Sequence, residues 1–281
     1  MSGRRLLLVH AHPDDESTAT GATIAKYCAE GAEVAVVTCT SGELGDVVSE
    51  ELAHLRGDPA ALGERRRREL GEALAEYGPV RHHWLGGPGR WRDSGMPGEP
   101  GNTAEGAFAG ADPLEVTRSL VEIVRAERPQ VVVTYDDHGS YGHPDHIAAS
   151  RAVMAALGPA ADPDYAPELG RPWRVLKTYW VVLPRSLLTE LEQWGVSDFQ
   201  PYTVADEELT AVLDARQYHP VKMAALRRYR SQVDLDSDEF FTWMVSRPEF
   251  AIEHYLLVRG RRGPGAGEHG WETDLFAGLE V

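Results

Sequence analysis

The sequence predicts an α/β fold: a Rossmann-like, mostly parallel sheet with flanking helices and a smaller mixed C-terminal region. Three observations carry that expectation. Short apolar runs that read as buried strands alternate with longer helical patterns up to Gly158, and such alternation argues for right-handed βαβ crossovers. Two of the runs lead into clusters of histidine and aspartate, H-P-D-D-E at His12–Glu16 and Y-G-H-P-D-H at Tyr141–His146. Both clusters then sit at carboxyl ends of strands, where open α/β sheets bind ligands. Finally, the proline-rich stretch G-P-A-A-D-P-D-Y-A-P-E-L-G-R-P follows Leu157, and the pattern beyond it is less regular. Two parts are expected, 1–165 and 166–281.

Taken in order, the run ending at Ala11 predicts a strand over Arg4–Ala11, and Ser17–Glu30 reads as the helix that follows. Strands are next expected at Glu33–Cys39, Val80–Trp84 and Gln130–Tyr135, with helices at Ala60–Tyr77 and Leu114–Glu127 between them. Pro144 suits the first position of a further helix, which I-A-A-S-R-A-V-M-A-A-L continues to Gly158. Between Leu85 and Asp112 lies a long glycine- and proline-rich connection. Loops of that length are usually functional or disordered, and Arg90, Trp91, Arg92 and Asp93 are expected to line the mouth of a site. In the C-terminal part V-L-K-T-Y-W-V-V-L and I-E-H-Y-L-L-V predict strands, and Asp206–Gln217 and Val221–Arg230 predict helices.

Composition narrows the class. With 281 residues, 42% hydrophobic and 26% charged, the chain is ordinary for a globular protein. The apolar runs are too short for a membrane span and the N-terminus lacks a signal-like segment, so a cytoplasmic protein that does not engage membranes is expected. A net charge of −16 opposes general attraction to nucleic acid phosphates, and no nucleic acid partner is expected. The run Arg65–Arg68 is flanked by Glu64, Glu69 and Glu72 and reads as a solvated helix face. Cys28 and Cys39 are too few for a thiolate metal site.

The two clusters carry the chemistry. His12 and Asp15 lie three residues apart just past a strand, so their side chains can converge, and His146 is the best third ligand. Two neutral imidazoles, one carboxylate and an open position for water meet the needs of a catalytic zinc site, with iron(II) possible on the same ligands. Asp14 points differently from Asp15 and is free to act as general base toward the water. His143, outside the helix that Pro144 begins, is placed to stabilise an oxyanion and assist a leaving amine. Tyr141 can donate its hydroxyl to the same oxygen, and Asp145 can orient its neighbours. Glu16 reads as a complement to the positive end of the following helix. His10, His54, His82, His83, His138, His219, His254 and His269 read as surface or core residues. The same ligands would also serve a non-haem iron oxygenase, but the spare acid–base groups favour hydrolysis. A G-x-G-x-x-G turn is missing after the first strand, which argues against a dinucleotide binder. A non-enzymatic sugar-binding zinc module is the reading from another class.

At these motifs the chain resembles the PIG-L or LmbE-like family of zinc-dependent N-acetylglucosaminyl deacetylases. Further matches are H-A-H-P-D-D-E-S, G-A-T-I-A, V-V-T-C-T, G-G-P-G-R-W-R-D-S-G-M, V-V-V-T-Y and the terminal G-W-E-T-D-L-F-A-G-L. These look most like the branch that removes acetate from 1-D-myo-inosityl 2-acetamido-2-deoxy-α-D-glucopyranoside in mycothiol biosynthesis. The resemblance implies one zinc per chain on His12, Asp15 and His146, Asp14 as base, and His143 with Tyr141 on the oxyanion. It implies Asp145 as a support to His143, and Arg66 and Asp93 as holders of sugar hydroxyls. Residues 1–165 would then form the metal-binding catalytic domain and 166–281 would complete the substrate cleft for a small glucosaminyl-inositol molecule. A mycothiol S-conjugate amidase and a broader N-acetylglucosamine-conjugate deacetylase are the related alternatives.

Overall fold

The computed structural model describes residues 3–193, 201–235, 240–267 and 269–280. The N-terminal alternation is present: β1 (Arg5–His10), α1 (Asp15–Ala29), β2 (Glu33–Thr38), α2 (Pro59–Glu76), β3 (Val80–Trp84), α3 (Pro113–Glu127) and β4 (Val131–Tyr135). An irregular turn, α4 (Gly139–Gly142), leads into α5 (Pro144–Ala161). Local sequence starts three of these helices. Asp58 accepts the Ala61 amide at 3.0 Å ahead of Pro59, and Asp112 accepts the Leu114 amide at 2.9 Å ahead of Pro113. His143 accepts the Asp145 amide at 3.1 Å ahead of Pro144. Each pairs a capping acceptor with a proline whose missing N–H is not needed there.

Strand order is β3-β2-β1-β4-β5-β8-β7, where β5 is Lys177–Pro184, β7 is Ala211–Asp214 and β8 is Ile252–Arg259. β1 to β5 run parallel, whereas β8 is antiparallel to both β5 and β7. The short β6 (Thr203–Val204) adds to the end of β5. Both faces of the sheet are covered, so the middle of β1, residues 6–9, is apolar without alternation: Leu6 and Leu8 join the core with Ile24, Leu70 and Leu74, and Leu7 and Val9 join that with Val116, Leu120 and Val153. Burying each such side chain contributes about 1.5–3 kcal/mol. β1 lies between β2 and β4: the chain winds outward through β2 to β3, then crosses back past β1 to β4 on its other side. That reversal opens a crevice above the carboxyl ends of β1 and β4, the ends from which both motifs emerge.

The C-terminal part continues the same sheet. It also includes α6 (Arg185–Gln193), α7 (His219–Leu226) and α8 (Phe240–Ser246). The helix expected over Asp206–Gln217 is instead a turn, β7 and a second turn, because Val212 and Leu213 pair with His254 and Glu253 of β8. Pairing with a distant strand overrides an acidic, helix-like composition. The helix expected over Val221–Arg230 forms as α7 and ends at Leu226. Near the C-terminus, buried Glu272 accepts from Lys177 Nζ at 2.6 Å, from the Tyr179 hydroxyl at 2.7 Å and from the Gly263 amide at 2.6 Å, locking that segment to β5. The proline-rich break after α5 is organised by Arg125. Its guanidinium donates to the carbonyls of Pro159, Ala160, Asp162, Tyr165, Ala166 and Gly170 at 2.7–3.3 Å, satisfying oxygens that a helix end leaves open. Among the described residues no helix is long and apolar enough to cross a membrane.

Candidate metal centre

As β1 ends, Asp14 takes up φ 107°, ψ −31°, a region that costs a residue with a side chain about 1–3 kcal/mol. Surrounding contacts hold it there. The Asp14 amide donates to Glu16 Oε2 at 3.1 Å, and Arg66 Nη2 donates to Asp14 Oδ2 at 3.0 Å and to the Pro13 carbonyl at 2.7 Å. Glu16 is fully buried and accepts from the Ser17 and Tyr229 hydroxyls. It is therefore more than a complement to the start of α1. The turn separates two adjacent carboxylates: Asp14 faces Arg66, and Asp15 faces the histidines.

Asp15 Oδ2 lies 3.3 Å from His12 Nδ1 and 3.4 Å from His146 Nε2. His12 Nε2 lies 3.2 Å from Asp145 Oδ2 and 3.7 Å from Asp93 Oδ1. Ring nitrogens of His12, His143 and His146 fall within 4.8 Å of one another. Both nitrogens of His146 are buried without a hydrogen-bond partner, as is Asp145 Oδ1. Buried polar atoms are rarely left so. Two imidazoles and a carboxylate, with His12 Nδ1 and His146 Nε2 both beside Asp15 Oδ2, fit a divalent ion of the zinc type.

Electrostatics agree with that fit. Burial disfavours a charged His12 ring, yet the carboxylates of Asp93, Asp145 and Asp15 together raise its pKa well above the ordinary value. The same burial opposes ionisation of Asp15, but His146 and His12 hold its carboxyl well below the usual range. The pocket thus favours a cation among anions. Burial, opposed by Arg66, pushes Asp14 up to about 7, close to the range that suits a general base. Burial and two neighbouring histidines lower His143 to about 4.

The structure brings His12, Asp14, Asp15, His143 and His146 into one crevice, but some neighbours take unexpected places. The Asp145 carboxylate faces His12, and only its backbone amide reaches His143. Tyr141 packs its ring 5.1 Å from His146 and 6.1 Å from His143. The preceding turn can lie this close only because position 139 is glycine: at φ +66° a Cβ there would meet His146 Cβ at 2.8 Å. Asp93 borders the site and is held by the Gly95 amide at 2.8 Å and the Leu44 amide at 3.1 Å. Trp91 does not line a mouth. It is buried against Phe108 in the second core with Arg90 over its ring, since the loop folds onto α3 through Arg90 and Glu115. Arg66 is 4% exposed and directed at Asp14.

Residues not picked out by the motifs also matter. Tyr135, the last residue of β4, donates from its hydroxyl to Asp15 Oδ2 at 2.8 Å and accepts from the Ala11 amide at 2.9 Å. Buried His10 lies below it, 3.3 Å from the Tyr135 hydroxyl and 2.9 Å from Thr20 Oγ1. The only signal in the sequence was a polar tip ending an apolar strand that leads to the second motif.

Residues 7–157 match the family described as PIG-L, GlcNAc-PI de-N-acetylase. The 1D-myo-inositol 2-acetamido-2-deoxy-alpha-D-glucopyranoside deacetylase 2 of Saccharopolyspora erythraea is 66% identical, covering 98% of this chain and 100% of its own. The corresponding deacetylase of Thermomonospora curvata is 48% identical, over 98% of this chain and 97% of its own. Among solved structures, the N,N'-diacetylchitobiose deacetylase from Pyrococcus horikoshii superposes with a TM-score of 0.63 at 20% identity, over 91% of this chain and 84% of that one. That last likeness is one of fold. The family match over more than half of the chain, and relatives this similar along its whole length, mean that the chain belongs to the PIG-L, GlcNAc-PI de-N-acetylase family.

Proposed function

We propose that this protein is a zinc-dependent N-deacetylase that removes acetate from 1-D-myo-inosityl 2-acetamido-2-deoxy-α-D-glucopyranoside. The observation that carries the chemistry is the separation of Asp14 from Asp15. One carboxylate joins His12 and His146, and the next stands apart beside Arg66. The substrate rests on the names of the two relatives above, one of them 66% identical.

His12, Asp15 and His146 would hold the ion. Zinc bound there would acidify a water molecule and polarise the acetyl carbonyl, and iron(II) could take the same ligands. Asp14 accepts the proton of the attacking water at a carboxylate oxygen and returns it to the departing amine nitrogen as the C–N bond breaks. His143 Nδ1 is occupied as acceptor of the Asp145 amide, so the neutral ring carries its proton on Nε2. It acts as a neutral donor to the oxyanion, joined by the Tyr141 hydroxyl. Arg66 orients Asp14, and Asp93 at the edge of the pocket receives a sugar hydroxyl. Residues 166–281 complete the cleft, a reading supported by Tyr202, half exposed and donating its amide to the Ser140 carbonyl beside Tyr141 at 2.6 Å. The setting is cytoplasmic, without nucleic acid or membrane partners.

Three assays on one zinc-loaded preparation test this reading: acetate release from the inositol-linked substrate, acetate release from free N-acetylglucosamine, and cleavage of a mycothiol S-conjugate. The first activity is expected to exceed the other two. Dominant conjugate cleavage would make the protein an amidase instead.

A further inference from the structure

We propose that Tyr135 is a positioning residue of the metal centre, fixing Asp15 by a hydrogen bond and His146 by ring stacking. The inference rests on His12, Asp15 and His146 being the ligands. Histidines that bind metals ordinarily give their second ring nitrogen to a carboxylate or carbonyl, which sets the ring's orientation. His12 has such a partner in Asp145. His146 has none: its Nε2 lies on the Asp15 side, and its second nitrogen, Nδ1, is buried without a hydrogen-bond partner. The nearest ring packed on it is that of Tyr135, stacked at 4.1 Å between centroids and 14° between planes, while Tyr141 meets it edge-on at 5.1 Å. His143 stacks more loosely, at 4.9 Å and 29°.

The hydroxyl of the same tyrosine does the second task. Its single proton has two candidate acceptors, Asp15 Oδ2 at 2.8 Å and His10 Nδ1 at 3.3 Å. The shorter, charged acceptor wins. Its oxygen is meanwhile held by the Ala11 amide at 2.9 Å, one residue before His12. Tyr135 thus links the backbone leading to one ligand, the carboxylate of a second and the ring of a third. It has the rigidity for this task, being 1% exposed at the end of a central strand.

Tyr135→Phe removes the hydroxyl and keeps the stacking face, and Tyr135→Leu removes both. Zinc dissociation constants would be measured by competition with a chromophoric chelator on the metal-free full chain, beside thermal unfolding of the same metal-free samples. The phenylalanine variant is expected to bind zinc about 10- to 100-fold more weakly, and the leucine variant more weakly still. A residue that only supported the fold would lower the unfolding temperature and leave the affinity of the folded protein unchanged. Parental affinity in Tyr135→Phe overturns the proposal, and that variant decides alone if Tyr135→Leu fails to fold. An Asp15→Ala control keeps the two readings apart. If it retains parental zinc affinity, the ligand assignment fails; if it loses zinc while Tyr135→Phe does not, only this inference fails.

Discussion

His12 Nε2 and Asp145 Oδ2 stand 3.2 Å apart, joining the first motif to the second through a carboxylate with no exposure to solvent. The same oxygen accepts the Ser94 amide at 3.0 Å, so the long loop is tied into the contact. A carboxylate on Nε2 keeps the proton there and leaves Nδ1, the nitrogen beside Asp15, free for an ion. The motif spacing alone pairs Asp145 with its sequence neighbour His143. The fold turns it instead toward a histidine in the turn that follows β1.

Asp145→Asn is accordingly expected to weaken zinc binding about 10- to 100-fold, measured by chelator competition. Unchanged zinc affinity with a lower kcat would return Asp145 to a role behind His143.

Arg66 separates two roles in the same way. If it orients Asp14, Arg66→Met leaves a buried carboxyl without its cation. We expect kcat to fall about 100-fold, within the range for losing acid–base catalysis, with zinc content and KM nearly unchanged. A large rise in KM at constant kcat would place Arg66 on the sugar.

Most of the N-terminal sheet was legible because its signals are local. Apolar runs mark the strands, and Pro144 marks the start of α5. That the two motifs meet was legible because strand ends converge in a parallel sheet. What escaped depends on contacts between distant residues. β7 exists through its pairing with β8. Trp91 is buried because Phe108 and the start of α3 come to meet the loop. Tyr135 looks like any core tyrosine until Asp15, 120 residues away, is brought against its hydroxyl. Arg66, one of four consecutive arginines, is directed inward by the helix face it occupies.

Stability should weaken toward acid pH partly through His82. Burial, aided by His83, lowers its pKa to about 4, with Thr38 Oγ1 at 3.0 Å and Trp84 edge-on. Above its ordinary value of about 6.5 the ring is neutral folded and unfolded, and its contribution is complete. As pH falls from there toward 4, only the unfolded chain takes up the proton, so stability declines. Urea unfolding at pH 7.5 and pH 5 should show a loss in the parent on the order of 1 kcal/mol greater than in His82→Gln, allowing for partial exposure. Equal losses would remove His82 from the acid response.

The central claim is that neighbouring carboxylates divide the work, Asp15 holding the ion and Asp14 moving the proton. It is tested most directly by acetate release from the inositol-linked substrate with Asp14→Asn protein of measured zinc content. The account predicts parental zinc stoichiometry with kcat lowered about 10²- to 10⁴-fold. Turnover at the parental rate, or loss of zinc together with activity, would contradict it.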